Sequence, residues 1–316
     1  MSITWSKITI ITPCYNEHVI VIKFLAALEQ MLATLPYTFE IVVVNDCSND
    51  NTLSLLKNFH FNSSNISLTI INLQYNVGHQ AAIYQGFIYA QTSASNHFIV
   101  MDSDGEDAPG AIPLLLAHVD TDIVNVVRSH RRESLFFKFC YQIYKILFRL
   151  ITGKRMNFGN FCLISRRVME QAIFTGFPHF ASFLSKQKCA TKYIISPKEE
   201  RLGGQSKMGY KKLFYHAIKS FMEYGTDIFL LFFKGFIVCM LLLLCCIGDV
   251  LYHKFITHTS IQQWMGITII GLINLCVLCG GFFAIGLLLI HLYKQNTHFK
   301  TPIYELCSDG DTKETI

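Results

Sequence analysis

Short apolar runs alternate with helix-spaced apolar positions over the first part of the chain. Residues 7–12 read as a buried strand that stops at Pro13. Residues 19–35 place Ile22, Leu25, Leu28 and Leu32 at helical spacing. Further buried strands are predicted at 40–44, 67–73, 97–101 and 123–127, with helices starting near Thr52 and running over 80–91. Strands that alternate with helices pair in parallel through right-handed crossovers, which predicts an α/β domain with a mostly parallel sheet. Such sheets bind ligands at the carboxyl ends of their strands. The polar turns 12–17, 45–50 and 102–107 all fall at those ends, so one rim should gather them.

The pattern changes beyond the sheet. Residues 135–151 are apolar with scattered bases (Lys138, Lys145, Arg149). They fit a helix lying on a membrane surface or a helix of the core equally well. Residues 228–251 and 264–292 are each long enough to cross a hydrocarbon core of about 30 Å. Lys211, Lys212 and Lys219 precede the pair, and Lys294 and Lys300 follow it. The positive-inside rule then puts both ends in the cytoplasm and makes the pair a hairpin. The expected organisation is a catalytic domain over 1–225 with interfacial helices near 135–151 and 210–223, a transmembrane hairpin over 226–293 and a cytoplasmic tail over 294–316. The stretch 308–316 is polar and expected to be disordered.

Composition agrees with this division. Of the 316 residues, 51% are hydrophobic and only 16% charged, an imbalance concentrated in the C-terminal apolar segments. The net charge of +5 is modest, and its Lys and Arg residues suit anionic headgroups next to a membrane. No nucleic-acid partner is expected. The 11 cysteines form no zinc-type pairs, and five of them lie in the apolar stretches, which argues against a disulfide framework and for a reducing compartment. No signal peptide is expected at the N-terminus.

The sharpest chemical feature is Asp102-Ser103-Asp104 directly after a buried strand. Two carboxylates separated by one residue suit a hard divalent cation that completes its shell with phosphate oxygens and water. Glu106 and Asp107 follow closely. Asp46, in Asn45-Asp46-Cys47-Ser48-Asn49-Asp50, offers a hydrogen-bond acceptor for a base or ribose. Ser48, Asp50 and Thr52 suit turn and helix-cap chemistry instead. Glu17 is either a pocket carboxylate or a residue favoured at a helix start.

The ordered set TPCYNE, VVVNDCSNDNT, NVGHQAA, VMDSDGEDAP, GNFCLISRR and ERLGGQSKM resembles the family 2 inverting glycosyltransferases of GT-A fold. It is most similar to the dolichol-phosphate mannose synthase-like enzymes and their bacterial polyprenyl-phosphate relatives. The resemblance implies a GT-A (Rossmann-like) domain with a C-terminal transmembrane hairpin, a nucleotide-sugar donor, UDP- or GDP-linked, and a polyprenyl phosphate acceptor. Pro13, Tyr15, Glu17 and Asp46 would line the nucleotide pocket. Asp102, Asp104 and Glu106 would hold Mg²⁺ or Mn²⁺ with the donor diphosphate. Arg128, Arg131 and Arg132 would meet phosphate, and Arg201, Ser206 and Lys207 match the family's active-site loop. There are departures: Asn45 stands where Asp is usual, Glu106 where Gln is usual, His79 where a basic or small residue is usual, and Asp107-Ala108-Pro109 softens the usual D-P-P. Asn160 also departs from a common Asp or Ser.

The reaction expected is a single inverting displacement by a lipid phosphate oxygen, which needs no strong base. A rival acceptor, a sugar hydroxyl on a glycolipid or polysaccharide, would need a carboxylate base, for which Asp107 is the nearby candidate. An inactive membrane scaffold is a second rival, against which the intact Asp102, Asp104 and Arg201 argue. The expected setting is an integral membrane protein of a bacterial inner membrane, assembled as a homo-oligomer.

Overall fold

The structure is a computed structural model, and it describes residues 6–128, 135–154, 157–196, 218–260, 262–295 and 302–307. Eight strands form one sheet: β1 (Lys7–Cys14), β2 (Thr38–Asn45), β3 (Ile66–Leu73), β4 (His97–Val100), β5 (Ile123–Arg128), β6 (Phe158–Ser165), β7 (Thr191–Ser196) and β8 (Tyr304–Cys307). Their order across the sheet is β7-β5-β6-β4-β1-β2-β3-β8. β1 pairs in parallel with both β2 and β4, so the chain order reverses between β1 and β4. That reversal opens a crevice at the carboxyl ends of these two strands, where open α/β sheets bind ligands.

The first four strands form where the apolar runs lie; β1, β2 and β4 are buried on both faces, and β3 is buried mainly in its second half. One face packs against α1 (Val21–Leu32), α2 (Thr52–Lys57) and α4 (Ile112–Leu116), with Ile10, Phe24, Leu28, Ile41 and Leu115 at its centre. The other packs against α3 (His79–Ala90), α6 (Arg166–Thr175) and α7 (Phe180–Lys186), with Ile11, Val44, Phe87, Phe98 and Phe180. α3 lies close to the sheet at Gly86, where a Cβ would stand 2.5 Å from Ile11 Cγ2.

Three strands were not among those the pattern predicts. β6 runs antiparallel between β4 and β5, and β7 pairs in parallel with β5. β8, four residues of the segment expected to be a tail, adds an antiparallel edge strand to β3. Gln74 N–H donates to Ile303 O (3.0 Å), and Ile303 N–H donates to Gln85 Oε1 (3.2 Å), which fixes the register.

Residues 146–153 and 221–297 make a second compact unit. Its long helices are α8 (Gly225–Tyr252) and α9 (Gln263–Gln295). Two spans, Gly225–Thr257 and Gln263–Ile290, are long and apolar enough to cross a membrane, with mean hydropathies of 2.8 and 2.5. Only 6% and 11% of their most apolar windows are buried, whereas a helix pair of a water-soluble core would be mostly buried. Small residues let the two helices approach: a Cβ at Gly286 would overlap the Phe229 ring, and Phe233 packs on Phe283 at 4.7 Å. α5 (Leu135–Thr152) is the helix expected over 135–151. It leaves Ile143, Ile146, Leu147 and Leu150 exposed at helical spacing, with Phe148 buried against Phe221 and Tyr224.

Candidate active site

The strand ends converge as expected, and backbone chemistry ties them together. Ser103 Oγ donates to Pro13 O (2.9 Å), joining the turn after β4 to the end of β1. Asp46 N–H donates to Cys14 O (2.9 Å), joining the end of β2 to the same place. Asn16 adopts φ 55° and donates its N–H to Ser48 Oγ (2.9 Å), while Glu17 N–H donates to Thr52 Oγ1 (2.9 Å). Glu17 O accepts from Ile20 and Val21, so this residue sits at the entry to α1. Tyr15 is exposed at the rim, and Pro13 is buried. Asp50 is turn chemistry: Oδ1 accepts from Thr52 N–H and Oγ1–H, and Oδ2 lies 2.6 Å from His18 Nδ1.

Asp46 is almost fully buried, and both its oxygens are engaged. Val77 N–H donates to Oδ1 (2.7 Å) and Gly78 N–H to Oδ2 (2.9 Å). Burial raises its carboxyl above the usual range despite those two bonds. Its clearest role is to clamp the turn that starts α3, and each oxygen keeps a second lone pair for a ligand. Asn45 is buried beside it, with Nδ2 donating to Asn72 Oδ1 (2.6 Å).

The Asp102–Asp107 turn is stapled from within. Asp102 N–H donates to Asp107 Oδ2 (2.9 Å), and Glu106 N–H donates to Asp104 Oδ1 (3.0 Å), with Gly105 at φ 79° making the bend. Asp107 is 1% exposed, so this carboxylate faces inward and holds the loop. Alternation along β4 puts Phe98, Val100 and then Asp102 on the α3 face. There Asp102 Oδ1 lies 3.2 Å from His79 Nε2, in the first turn of α3. Asn160 Nδ2 lies 2.9 Å from the same nitrogen. Desolvation pulls the His79 imidazole down, but the Asp102, Asp104 and Asp107 carboxylates more than offset it and hold the group above its ordinary value.

Asn160 arrives there through an irregularity in the sheet. Phe158 pairs with Val127 and Cys162 with Asn125, so four steps along β6 match two along β5. Such bulges re-aim side chains and are common beside active sites. The contact among His79, Asp102 and Asn160 escaped sequence reasoning. Its one sequence signal is that His79 and Asn160 both depart from the residues usual at their positions.

Arg128 ends β5 on the same rim, because β5 runs parallel to β4 through the antiparallel β6. Its side chain, together with Arg131, Arg132, Arg201, Ser206 and Lys207, lies outside the described residues. Among the described residues, no group of three or more His, Cys, Asp or Glu side chains is placed to hold a metal ion. What the rim offers is the Asp102–Asp104 pair with Glu106 in the same turn. That donor set fits a cation that takes one or two carboxylates and completes its shell with phosphate and water.

The comparisons with known proteins agree with this geometry. The family model described as glycosyl transferase family 2 matches residues 9–183. A Bacillus subtilis protein named as the uncharacterized glycosyltransferase YkcC is 26% identical over 293 residues, covering 84% of this chain and 83% of that one. The undecaprenyl-phosphate 4-deoxy-4-formamido-L-arabinose transferase of Yersinia enterocolitica is 30% identical over 220 residues, covering 66% of this chain and 64% of that one. Among solved structures, glucosyl-3-phosphoglycerate synthase from Mycobacterium tuberculosis, in complex with Mn²⁺, UDP and glucosyl-3-phosphoglycerate, superposes with a TM-score of 0.52 at 12% identity. It covers 71% of this chain and 80% of that one, a likeness of fold. The α/β sheet with its crevice between β1 and β4 is thus the GT-A arrangement, and the chain is a glycosyltransferase that belongs to glycosyl transferase family 2.

Proposed function

We propose that the chain moves a sugar, with inversion, from a UDP- or GDP-linked donor to a polyprenyl phosphate at the cytosolic face of a membrane. The observation that carries this reading is the state of Asp107. A hydroxyl acceptor needs a base to take its proton. Asp107, the carboxylate best placed by sequence for that task, is buried and gives Oδ2 to the Asp102 backbone. An acceptor phosphate is already ionised and needs no such base. The Yersinia relative, named for transfer to undecaprenyl phosphate, supports the same acceptor class.

In this reading an acceptor phosphate oxygen attacks the anomeric carbon from the face opposite the donor diphosphate. The new C–O bond forms as the bond to the diphosphate breaks. Pro13, Tyr15, Glu17 and Asp46 form the wall that receives the nucleotide. Asp102 and Asp104, with Glu106, would hold Mg²⁺ or Mn²⁺, which would neutralise charge on the departing diphosphate. Arg128, Arg131 and Arg201 would bind the phosphates, where the planar guanidinium suits oxyanion pairs, and Ser206 and Lys207 would serve as further donor-binding residues. The exposed apolar row on α5 supports an interfacial helix rather than a core one. The long helices support a hairpin over 226–293 that anchors a catalytic domain of residues 1–225, with both ends cytoplasmic.

The test is a panel of radiolabelled nucleotide sugars given to membranes with added polyprenyl phosphate, comparing wild type with Asp104→Ala. Lipid-linked product is expected from wild type and not from the variant. Equal product from both would refute the role of the carboxylate pair.

A further inference from the structure

We propose that the loop end of the apolar helix pair holds a lipid headgroup carrying a primary ammonium, with Asp249 and Trp264 as its binding residues. The inference goes beyond the transfer reaction and rests on the hairpin reading of the two helices.

Its starting point is a cavity of about 230 Å³ between the end of α8 and the start of α9, lined by Cys245, Cys246, Asp249, Trp264 and Met265. That is several times the roughly 30 Å³ a water takes in the liquid, so a small organic group fits. Its depth follows from helix geometry. At about 1.5 Å per residue, the run from Gly225 to Asp249 spans roughly 36 Å, slightly more than a hydrocarbon core of about 30 Å. Asp249 and Trp264 therefore stand at headgroup level, on the side of the bilayer away from the start of α8. Trp264 is 57% exposed there, as an indole of an interfacial belt is.

The walls of the cavity accept and offer no strong donor. The indole Nε1–H is given to Gln262 Oε1, which leaves the ring face for a ligand. The two thiols and the Met265 thioether are weak, polarizable groups. An aspartate at the end of an apolar span is costly and marks a functional site. Among the described residues, its one ion pair is with His253 Nε2 at 3.8 Å, too long for a hydrogen bond. The loop holds that ring instead: His253 Nδ1 lies 2.7 Å from Thr259 Oγ1 and 3.3 Å from Thr257 Oγ1. Lys254 Nζ sits over the Phe255 ring, 5.4 Å from its centroid. A carboxylate and an indole face in one cavity suit a cation with N–H donors, which bonds to Asp249 and rests on the ring of Trp264. At headgroup level the abundant molecules with such a group are aminophospholipids. An anionic headgroup would meet repulsion from Asp249.

The test titrates the detergent-solubilised full chain with phosphatidylethanolamine or with phosphatidylglycerol of the same acyl chains, and counts bound lipid by native mass spectrometry. Wild type is expected to hold phosphatidylethanolamine about 10-fold more tightly. Asp249→Asn keeps the size and removes the charge, and should bind the two lipids alike. Trp264→Leu should lose part of the preference. Asp227→Asn, at the other end of α8, should keep all of it, a contrast that the mere loss of a carboxylate would not produce. Equal retention of both lipids by wild type, or an unchanged preference in Asp249→Asn or Trp264→Leu, would overturn the site. Displacement of the lipid by millimolar free ethanolamine would overturn the lipid as its occupant. A chain that stays monodisperse without detergent would overturn the hairpin reading and the site together, whereas a detergent-dependent chain with no lipid preference would overturn the site alone.

Discussion

Gly86 is where the packing of α3 on the sheet can be tested most sharply. A Cβ added there would stand 2.5 Å from Ile11 Cγ2 and 3.1 Å from Val44 Cγ2. Carbon atoms in good contact lie about 3.5–4.0 Å apart, so Gly86→Ala asks for roughly 1 Å of retreat. Ile11 and Val44 are fully buried and β-branched, with one stiff torsion each, so neither methyl swings aside. The helix has to lift instead. Overpacking of this kind costs about 1–3 kcal/mol, and placing Ala for Gly in a helix interior returns about 1 kcal/mol, so the steric cost prevails. The consequence for the site is larger than for the fold. His79 lies two turns before Gly86, and a lift of this size would move its Nε2 away from Asp102 Oδ1, now 3.2 Å off. Gly86→Ala should therefore lower the unfolding midpoint of the detergent-solubilised chain and reduce transfer more than that loss of stability explains. A variant as stable and as active as wild type would refute the close approach of α3 to β1.

Two further outcomes concern the scaffold. Glu40 is buried between Lys7 Nζ (2.7 Å), Tyr89 OH (3.0 Å) and Ser93 Oγ (3.0 Å). Burial alone would raise its carboxyl, but those partners outweigh it and hold the group below its ordinary value of 4.5. A depressed carboxylate contributes stability above its unfolded value and loses it as pH falls through the folded one. Glu40→Gln should cost about 2 kcal/mol near neutrality, with the gap to wild type closing in melts below pH 4.5; a gap independent of pH would contradict the pairing. Removing residues 302–316 should lower the unfolding midpoint and promote self-association in size-exclusion chromatography, because β3 would become a bare edge. An unchanged midpoint would show that β8 adds nothing to the sheet.

Much of the sheet was legible because β1, β2 and β4 are apolar runs buried on both faces, each ending in a polar turn. Their parallel direction followed from the helices between them. β6 was harder: Phe158–Ser165 was legible as a motif, but its antiparallel direction is set by partners 31 residues or more away, which local pattern does not encode. β7, largely exposed and with Lys192 and Tyr193 in its middle, lacks the apolar run of a buried strand. β8 is four residues long and exists only because β3 offers an edge. In the site, strand ends told which residues meet at the rim. They did not tell which way side chains turn there. Asp107 faces inward rather than toward an acceptor, and Asp46 spends both oxygens on the turn before α3. His79 meets Asp102 only because Gly78 and the β6 irregularity deliver ring and amide to one point.

The nature of the acceptor is tested most directly by giving purified protein, with a donor it accepts, either a polyprenyl phosphate or the matching polyprenol, and determining the linkage and anomeric configuration of the product. The expected result is a sugar joined through the phosphate, released by mild acid and inverted relative to the donor, with the alcohol giving nothing. Comparable transfer to the alcohol, or retention of configuration, would contradict the account.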